Sequence, residues 1–134
     1  MKECVRKEIE ELIEKLNLSC SIEEFQNKVN WYYISRNQKL SEDFIREFQD
    51  KVNWNYISYH QILSENFIRE FKNKVKWWEI SRKQKLSLDF IREFKDKINW
   101  EMLKKYQKII KKDIEKYEKL NKTKVKNKFQ LIRF

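Results

Sequence analysis

The residues of this chain that could do chemistry are spaced carboxylates and lysines, together with one histidine. Glu70 and Lys72, and likewise Glu93 and Lys95, form the acid-x-lysine pair of metal-dependent nucleases, but that chemistry needs further carboxylates converging on one metal ion. Both pairs are copies of one repeated segment, so we attribute them to the repeat. His60 is the only histidine, and without glycine there is no P-loop or dinucleotide-binding turn. The sequence therefore predicts a non-enzymatic protein without metal or cofactor.

The elements that carry these residues come from a 23-residue internal repeat. The segment Phe44–Phe48 returns as Phe67–Phe71 and Phe90–Phe94, each followed six residues later by a tryptophan, and a looser copy begins at Ser21. A fixed period of this kind predicts stacked structural units. We divide the single domain into an N-terminal cap, residues 1–20; repeats 21–43, 44–66 and 67–89; a partial repeat, 90–120, that runs into a C-terminal helix; and a basic tail, 121–134.

Each repeat is predicted to form two helices. A serine N-cap and apolar residues at helical spacing predict an amphipathic helix of about three turns from Ser41 to Val52. Asn53 either ends that helix in a left-handed conformation or caps a shorter second helix, from Trp54 to about Gln61. One tryptophan per copy is predicted to stack the units in the core, at Trp31, Trp54, Trp77 and Trp100. The predicted fold is all-α, a short helical-repeat solenoid; a leucine-rich-repeat-like coil fits the period but not the helical pattern.

Further helices are predicted at both ends of the chain. Residues 2–17 carry apolar side chains at helical spacing, which predicts an amphipathic capping helix. After the partial repeat the helical spacing continues, so a single long helix with one basic side is expected from Asn99 or Trp100 to Leu120. The stretch from Lys122 onwards alternates lysine with other residues. It is interpreted as a loosely attached tail or as a strand that adds to the sheet edge of a partner.

Charge is divided unevenly along the chain. Residues 1–66 carry 9 Lys/Arg and 12 Asp/Glu, net −3, whereas residues 67–134 carry 22 and 9, net +13. The absence of glycine, proline and alanine indicates an AT-rich genome, which would enrich lysine in both halves. The asymmetry is therefore a property of the protein, and it predicts an acidic partner for the C-terminal half. Without a transmembrane-length apolar run or a signal peptide, we expect a soluble cytoplasmic protein in which Cys4 and Cys20 are free thiols.

Positions that differ between copies are the candidates for recognition. Two such columns lie four residues apart on the face of the second helix turned away from the tryptophan, as Tyr32/Arg36, Asn55/Tyr59, Trp78/Arg82 and Glu101/Lys105. Stacking would align them into one exposed ribbon. Trp78 either belongs to this ribbon or packs on Arg82 through a cation–π contact. The candidate partner-binding residues are Tyr32, Arg36, Tyr59, Lys76, Trp78, Arg82, Lys83, Lys104, Lys105, Lys108, Lys111 and Lys112.

The unit from Trp54 to Phe71, W-x-x-I-S-x-x-Q-x-L-S-x-x-F-I-R-E-F, resembles a repeat of predicted proteins from giant DNA viruses and from AT-rich bacteria and their mobile elements. The resemblance extends over about residues 21–109 and implies a repeat fold. It implies no catalytic residue. In a phage or prophage it would imply an inhibitor of host defence.

The function expected from these patterns is binding. The ribbon and the basic C-terminal half would engage nucleic acid, RNA included, or a nucleoprotein complex, with an affinity that falls steeply with salt because clustered lysines neutralise phosphates. No membrane and no small-molecule substrate are expected. Two alternatives stay open: an anti-CRISPR-like inhibitor that binds an acidic surface of a host defence nuclease, and a homotypic structural or assembly module.

Overall fold

All regular secondary structure is helical in the computed structural model, which describes residues 1–107 and Glu115. The chain divides into two compact units, unit 1 from Met1 to Leu63 and unit 2 from Ser64 onwards. Unit 1 contains α1 (Glu3–Lys15), α2 (Phe25–Lys28), α3 (Trp31–Asn37), α4 (Glu42–Glu47) and α5 (Trp54–His60). Unit 2 contains α6 (Glu65–Glu70), α7 (Trp77–Lys83), α8 (Leu88–Glu93) and α9 (Trp100–Tyr106). The all-α prediction is confirmed for these residues.

Side-chain caps begin six of the helices of the copies, whereas α2 and α7 begin at Glu24 and Lys76 without one. A serine Oγ accepts the backbone N–H three residues on over 3.1–3.2 Å, at Ser41, Ser64 and Ser87. An asparagine Oδ1 does the same for the second helices over 2.9–3.0 Å, at Asn30, Asn53 and Asn99. With φ −87°, Asn53 takes the capping role of the two predicted for it. Of the described residues only Asn17 has a positive φ, 52°, so the copies turn without the left-handed residue that glycine usually supplies.

The first helix of each copy is shorter than predicted. α4 ends at Glu47, because Phe48 leaves the helical region with φ −108° and ψ 31°. The Val52 N–H still reaches the Phe48 carbonyl at 3.0 Å, and both side chains remain buried. α6 and α8 likewise have six residues each. The predicted three-turn helix from Ser41 to Val52 is therefore wrong: its second half forms hydrogen-bonded turns.

An exchange of hydrogen bonds follows at Asn53, where the turns end. Continuation would bond the Asn53 N–H to the Gln49 carbonyl four residues earlier. Instead that N–H donates to Ser35 Oγ of the preceding copy at 3.0 Å, and the Gln49 carbonyl accepts the Trp54 indole N–H at 2.9 Å. Unit 2 has the same exchange. The Asn99 N–H donates to Ser81 Oγ at 2.9 Å, and the Lys95 carbonyl accepts the Trp100 indole N–H at 2.9 Å.

The recurring tryptophans pack on phenylalanine rings and keep one edge at the surface. The Trp31 ring centroid lies 5.0 Å from that of Phe48 and 5.9 Å from that of Phe25. The Trp77 centroid lies 5.2 Å from that of Phe94. All four tryptophans are half-buried, and each donates its indole N–H over 2.9 Å to the carbonyl five residues earlier. They stack on the core and do not lie inside it.

A buried glutamine joins neighbouring copies. Gln61, 5% exposed, donates from Nε2 to the carbonyls of Ser35 at 3.0 Å and Gln38 at 2.7 Å. Its Oε1 accepts the Leu40 N–H at 2.9 Å. One side chain thus satisfies three buried backbone groups of the preceding copy, each of which would otherwise cost free energy on burial.

The corresponding glutamine of the fourth copy ends α9. Gln107 takes φ −104° and ψ 66°, and its Nε2 donates to the Ser81 carbonyl at 2.7 Å. The predicted unbroken helix to Leu120 is therefore wrong at this residue, because its backbone turns where its side chain joins the preceding copy. Beyond it only Glu115 is described, so the rest of that prediction and the basic tail lie outside the described residues.

The predicted N-terminal helix is present as α1, which packs against α4. Val5, Ile9 and Leu12 are buried, as their spacing predicts. Lys2 Nζ lies 3.2 Å from Asp43 Oδ1, and this hydrogen bond holds the pKa of the Asp43 carboxyl below its usual value. The packing of α1 is thus apolar on one side and bordered by an exposed ion pair.

Replacement of the joining glutamine should destabilise unit 1. We expect Gln61→Leu to lower the free energy of unfolding by about 2–4 kcal/mol, because it leaves buried backbone groups of the preceding copy without partners. Gln26→Leu is the matched control, since Gln26 is exposed in the same unit. Urea denaturation followed by circular dichroism measures both. Equal midpoints for the two variants would contradict the assignment.

Candidate partner-binding surface

Two adjacent tryptophans at the start of α7 face different directions. Trp77 packs on Phe90 and Phe94 and donates its indole N–H to the Lys72 carbonyl. Trp78 is 49% exposed. Successive residues of an α-helix are about 100° apart around its axis, so only one of the two can face the core. The fold thus turns Trp78 outward.

A cluster of one aromatic ring and two cations lies where α7 packs against α9. The Arg82 guanidinium carbon is 4.9 Å from the centroid of the Tyr106 ring, and Lys105 Nζ is 5.3 Å from the same centroid. Tyr106 is 44% exposed. We call Arg82, Lys105 and Tyr106 the Tyr106 cluster. Arg82 thus lies over Tyr106, and not over Trp78 as the second interpretation of Trp78 supposed.

Tyr106 is the functional candidate that sequence reasoning missed. The helical spacing of apolar residues that predicts the long helix includes Tyr106, and a place in that spacing predicts a buried ring. The repeat alignment held a better signal, because its position is occupied by Asn37, His60 and Lys83 in the other copies. A column that is polar in every other copy faces solvent, and so does Tyr106.

Unit 1 has its own pairing of rings and a cation. Tyr32 is 58% exposed, and its ring centroid lies 4.6 Å from that of Tyr56 in an edge-to-face arrangement. The Tyr56 hydroxyl donates to the Tyr32 hydroxyl at 2.9 Å, which raises the pKa of Tyr56. The Arg36 guanidinium carbon lies 5.7 Å from the Tyr56 centroid. Tyr32 and Arg36 are thus linked through a residue that the ribbon prediction did not include.

The remaining predicted residues differ in exposure. Lys76, Lys83 and Lys105 are exposed, whereas Tyr59, Arg82 and Lys104 are half-buried. Tyr32, Arg36 and Tyr59 belong to unit 1, and the described candidates from Lys76 onwards belong to unit 2. Three predicted residues lie outside the described part of the chain, namely Lys108, Lys111 and Lys112.

The charge asymmetry of the sequence is also present between the units. Residues 64–107 carry 12 Lys/Arg and 7 Asp/Glu, net +5, whereas residues 1–63 carry 9 and 11, net −2. Within the described ranges no group of three or more His, Cys, Asp or Glu could hold a metal ion, and no helix is long and apolar enough to cross a membrane. The described surface of unit 2 carries two exposed rings, Trp78 and Tyr106, and an excess of cations.

No protein-family model matches the chain, and neither does any curated protein or solved structure.

The two adjacent tryptophans should differ sharply in their contribution to stability. We expect Trp77→Ala to lower the free energy of unfolding by about 3 kcal/mol, because it removes ring packing and an indole hydrogen bond. Trp78→Ala should change it by about 0.5 kcal/mol or less, as for other exposed positions. Urea midpoints of the two variants give the comparison. A loss for Trp78→Ala as large as that for Trp77→Ala would show that Trp78 is structural.

Proposed function

We propose that this protein is a non-enzymatic binding protein that engages nucleic acid, free or in a nucleoprotein complex, through Trp78 and the Tyr106 cluster. The observation that carries the proposal is the exposed Tyr106 ring with Arg82 and Lys105 beside it. Trp78 stands one helical turn before Arg82 and adds a second exposed ring.

This combination suits unpaired bases better than a duplex. Proteins that bind single strands stack successive bases on aromatic side chains and hold the backbone with positive charge, and every base has a face on which it can stack. The lysines of the surface act as point charges toward phosphate and contain no pattern that reads base edges. The proposed binding is therefore independent of sequence and sensitive to salt.

The repeat scaffold is part of the proposal. We propose a short helical-repeat solenoid of 23-residue copies, in which the second helices α7 and α9 carry the binding surface. Two hydrogen bonds support it. The bond from the tryptophan indole N–H to a backbone carbonyl recurs in four copies, and the bond from the asparagine N–H to the serine Oγ of the preceding copy recurs in both units. Recurrent internal bonds of this kind are typical of stacked repeats.

The proposal is tested by fluorescence anisotropy of a labelled single-stranded oligothymidylate of about 20 nucleotides. We expect binding to weaken at least tenfold between about 50 and 200 mM salt. Trp78→Ala should raise Kd about tenfold through lost stacking, and Lys105→Gln should lower the slope of log K against log salt by about 1.

Lys97→Gln is the matched control for Lys105→Gln, since Lys97 is an exposed lysine of unit 2 outside the Tyr106 cluster. An equal loss of affinity in both variants would indicate unspecific charge attraction and contradict the assigned surface. If the oligonucleotide does not bind while the protein co-elutes with a host nuclease, the inhibitor is the correct function. A concentration-dependent oligomer in light scattering, with no binding, would instead indicate an assembly module.

A further inference from the structure

Unit 1 contains a groove to which the predicted ribbon contributes one residue, Arg36. It lies between the segment that follows α3 and the C-terminal end of α5, and its volume is about 290 Å³. Arg36, Lys39 and His60 line it together with Asn37. None of its lining residues is acidic. The groove is therefore a concave, positively charged site in a unit whose net charge is negative.

The floor of the groove is held in place by the joining glutamine. Gln61 lines the groove and bonds the backbone of Ser35, Gln38 and Leu40, so the segment that carries Lys39 is attached to the end of α5. A site whose backbone is fixed in this way loses little conformational entropy when a ligand binds.

The two permanent cations of the groove have no acidic partner. Among the described residues, neither Arg36 nor Lys39 forms an ion pair. The Arg36 guanidinium carbon lies 5.7 Å from the Tyr56 ring centroid, which orients the guanidinium while its N–H groups stay available. The His60 ring lies against Tyr59, with centroids 4.5 Å apart. Three nitrogen-bearing side chains are thus placed around one groove.

The repeat itself shows that packing does not require these cations. The next copy has Tyr59 and Ile62 at the positions of Arg36 and Lys39, and it forms the same helices and caps. A purely structural role would predict the same residue types in both copies. The positive charges of the groove are therefore an addition to the scaffold.

We propose that this groove binds a phosphate group, carried either by a small phosphorylated ligand or by a nucleic-acid backbone. Arg36 presents the planar fork that matches phosphate oxygens, and Lys39 adds a point charge. The Asn37 amide nitrogen donates one N–H to the Tyr33 carbonyl at 3.1 Å and has a second N–H for an anion. The volume is near the lower end of the range of ligand pockets, which leaves room for a phosphate and part of the group that carries it. The proposal does not depend on nucleic-acid binding by unit 2.

The test is an NMR titration of the full chain with inorganic phosphate at constant pH and ionic strength. His60 is the only histidine, so its imidazole signal reports on the groove alone. We expect a saturable shift with a Kd on the order of 1 mM or tighter. Arg36→Gln combined with Lys39→Ile should weaken binding about tenfold or more, and Ile is the residue that the next copy already has at the second position.

The matched control, Lys28→Gln with Lys51→Gln, removes two charges from exposed positions of the same unit outside the groove and should leave the titration unchanged. Tighter binding of adenosine monophosphate than of inorganic phosphate would assign a small ligand, and tighter binding of oligothymidylate would assign a backbone phosphate. A His60 signal that does not saturate, or equal losses in both double variants, would overturn the proposal. Trp78→Ala should not affect this titration, so the two proposals can fail separately.

Discussion

The hydrogen bond from the Asn53 N–H to Ser35 Oγ is the interaction on which the rest of the structure depends. In a continuous helix the Asn53 N–H would bond to the Gln49 carbonyl. Here that carbonyl accepts the Trp54 indole N–H instead. Ser35 is fully buried, so the loss of either partner would leave a polar group without water. Because the chain reverses here by exchanging hydrogen bonds and not by adopting a left-handed residue, it needs no glycine. Asn53 thus serves two purposes: its side chain caps the next helix, and its N–H makes the contact with the preceding copy.

This arrangement separates scaffold from surface within each copy. The tryptophan, the serine and the glutamine of a copy bond to backbone groups, so their replacement would leave polar groups without partners. The residue that follows each tryptophan differs from copy to copy and is Tyr32, Asn55, Trp78 or Glu101. The repeated motifs of the sequence are therefore structural, and the positions that differ between copies are the candidates for recognition.

The sequence predicted what depends on local pattern. The period, the serine caps and the packing role of the tryptophans follow from residue type and spacing. The end of α4 at Glu47 could not be predicted, because Phe44, Phe48 and Val52 have helical spacing whether the segment is one helix or a helix followed by hydrogen-bonded turns. The segment turns at Phe48 and then contacts the preceding copy at Asn53, and spacing along one copy reveals neither. Of the candidate surface, the exposed Trp78 was predictable, whereas the ring that Arg82 contacts was not.

Two columns of the second helix differ between the surfaces of the two units. Arg36 and Arg82 occupy the same position two copies apart, and each lies over a ring from the second helix of the next copy. In unit 2 that ring is Tyr106, near the C-terminal end of α9, and the result is an exposed aromatic surface with two cations. In unit 1 the corresponding column holds His60, and Arg36 lies over Tyr56, nearer the N-terminal end of α5. The His60 end of the helix then borders an open groove. The same scaffold and the same arginine thus make a surface suited to stacking in one unit and a concave site suited to an anion in the other, through two columns that hold Tyr56 and His60 in α5 but Met102 and Tyr106 in α9.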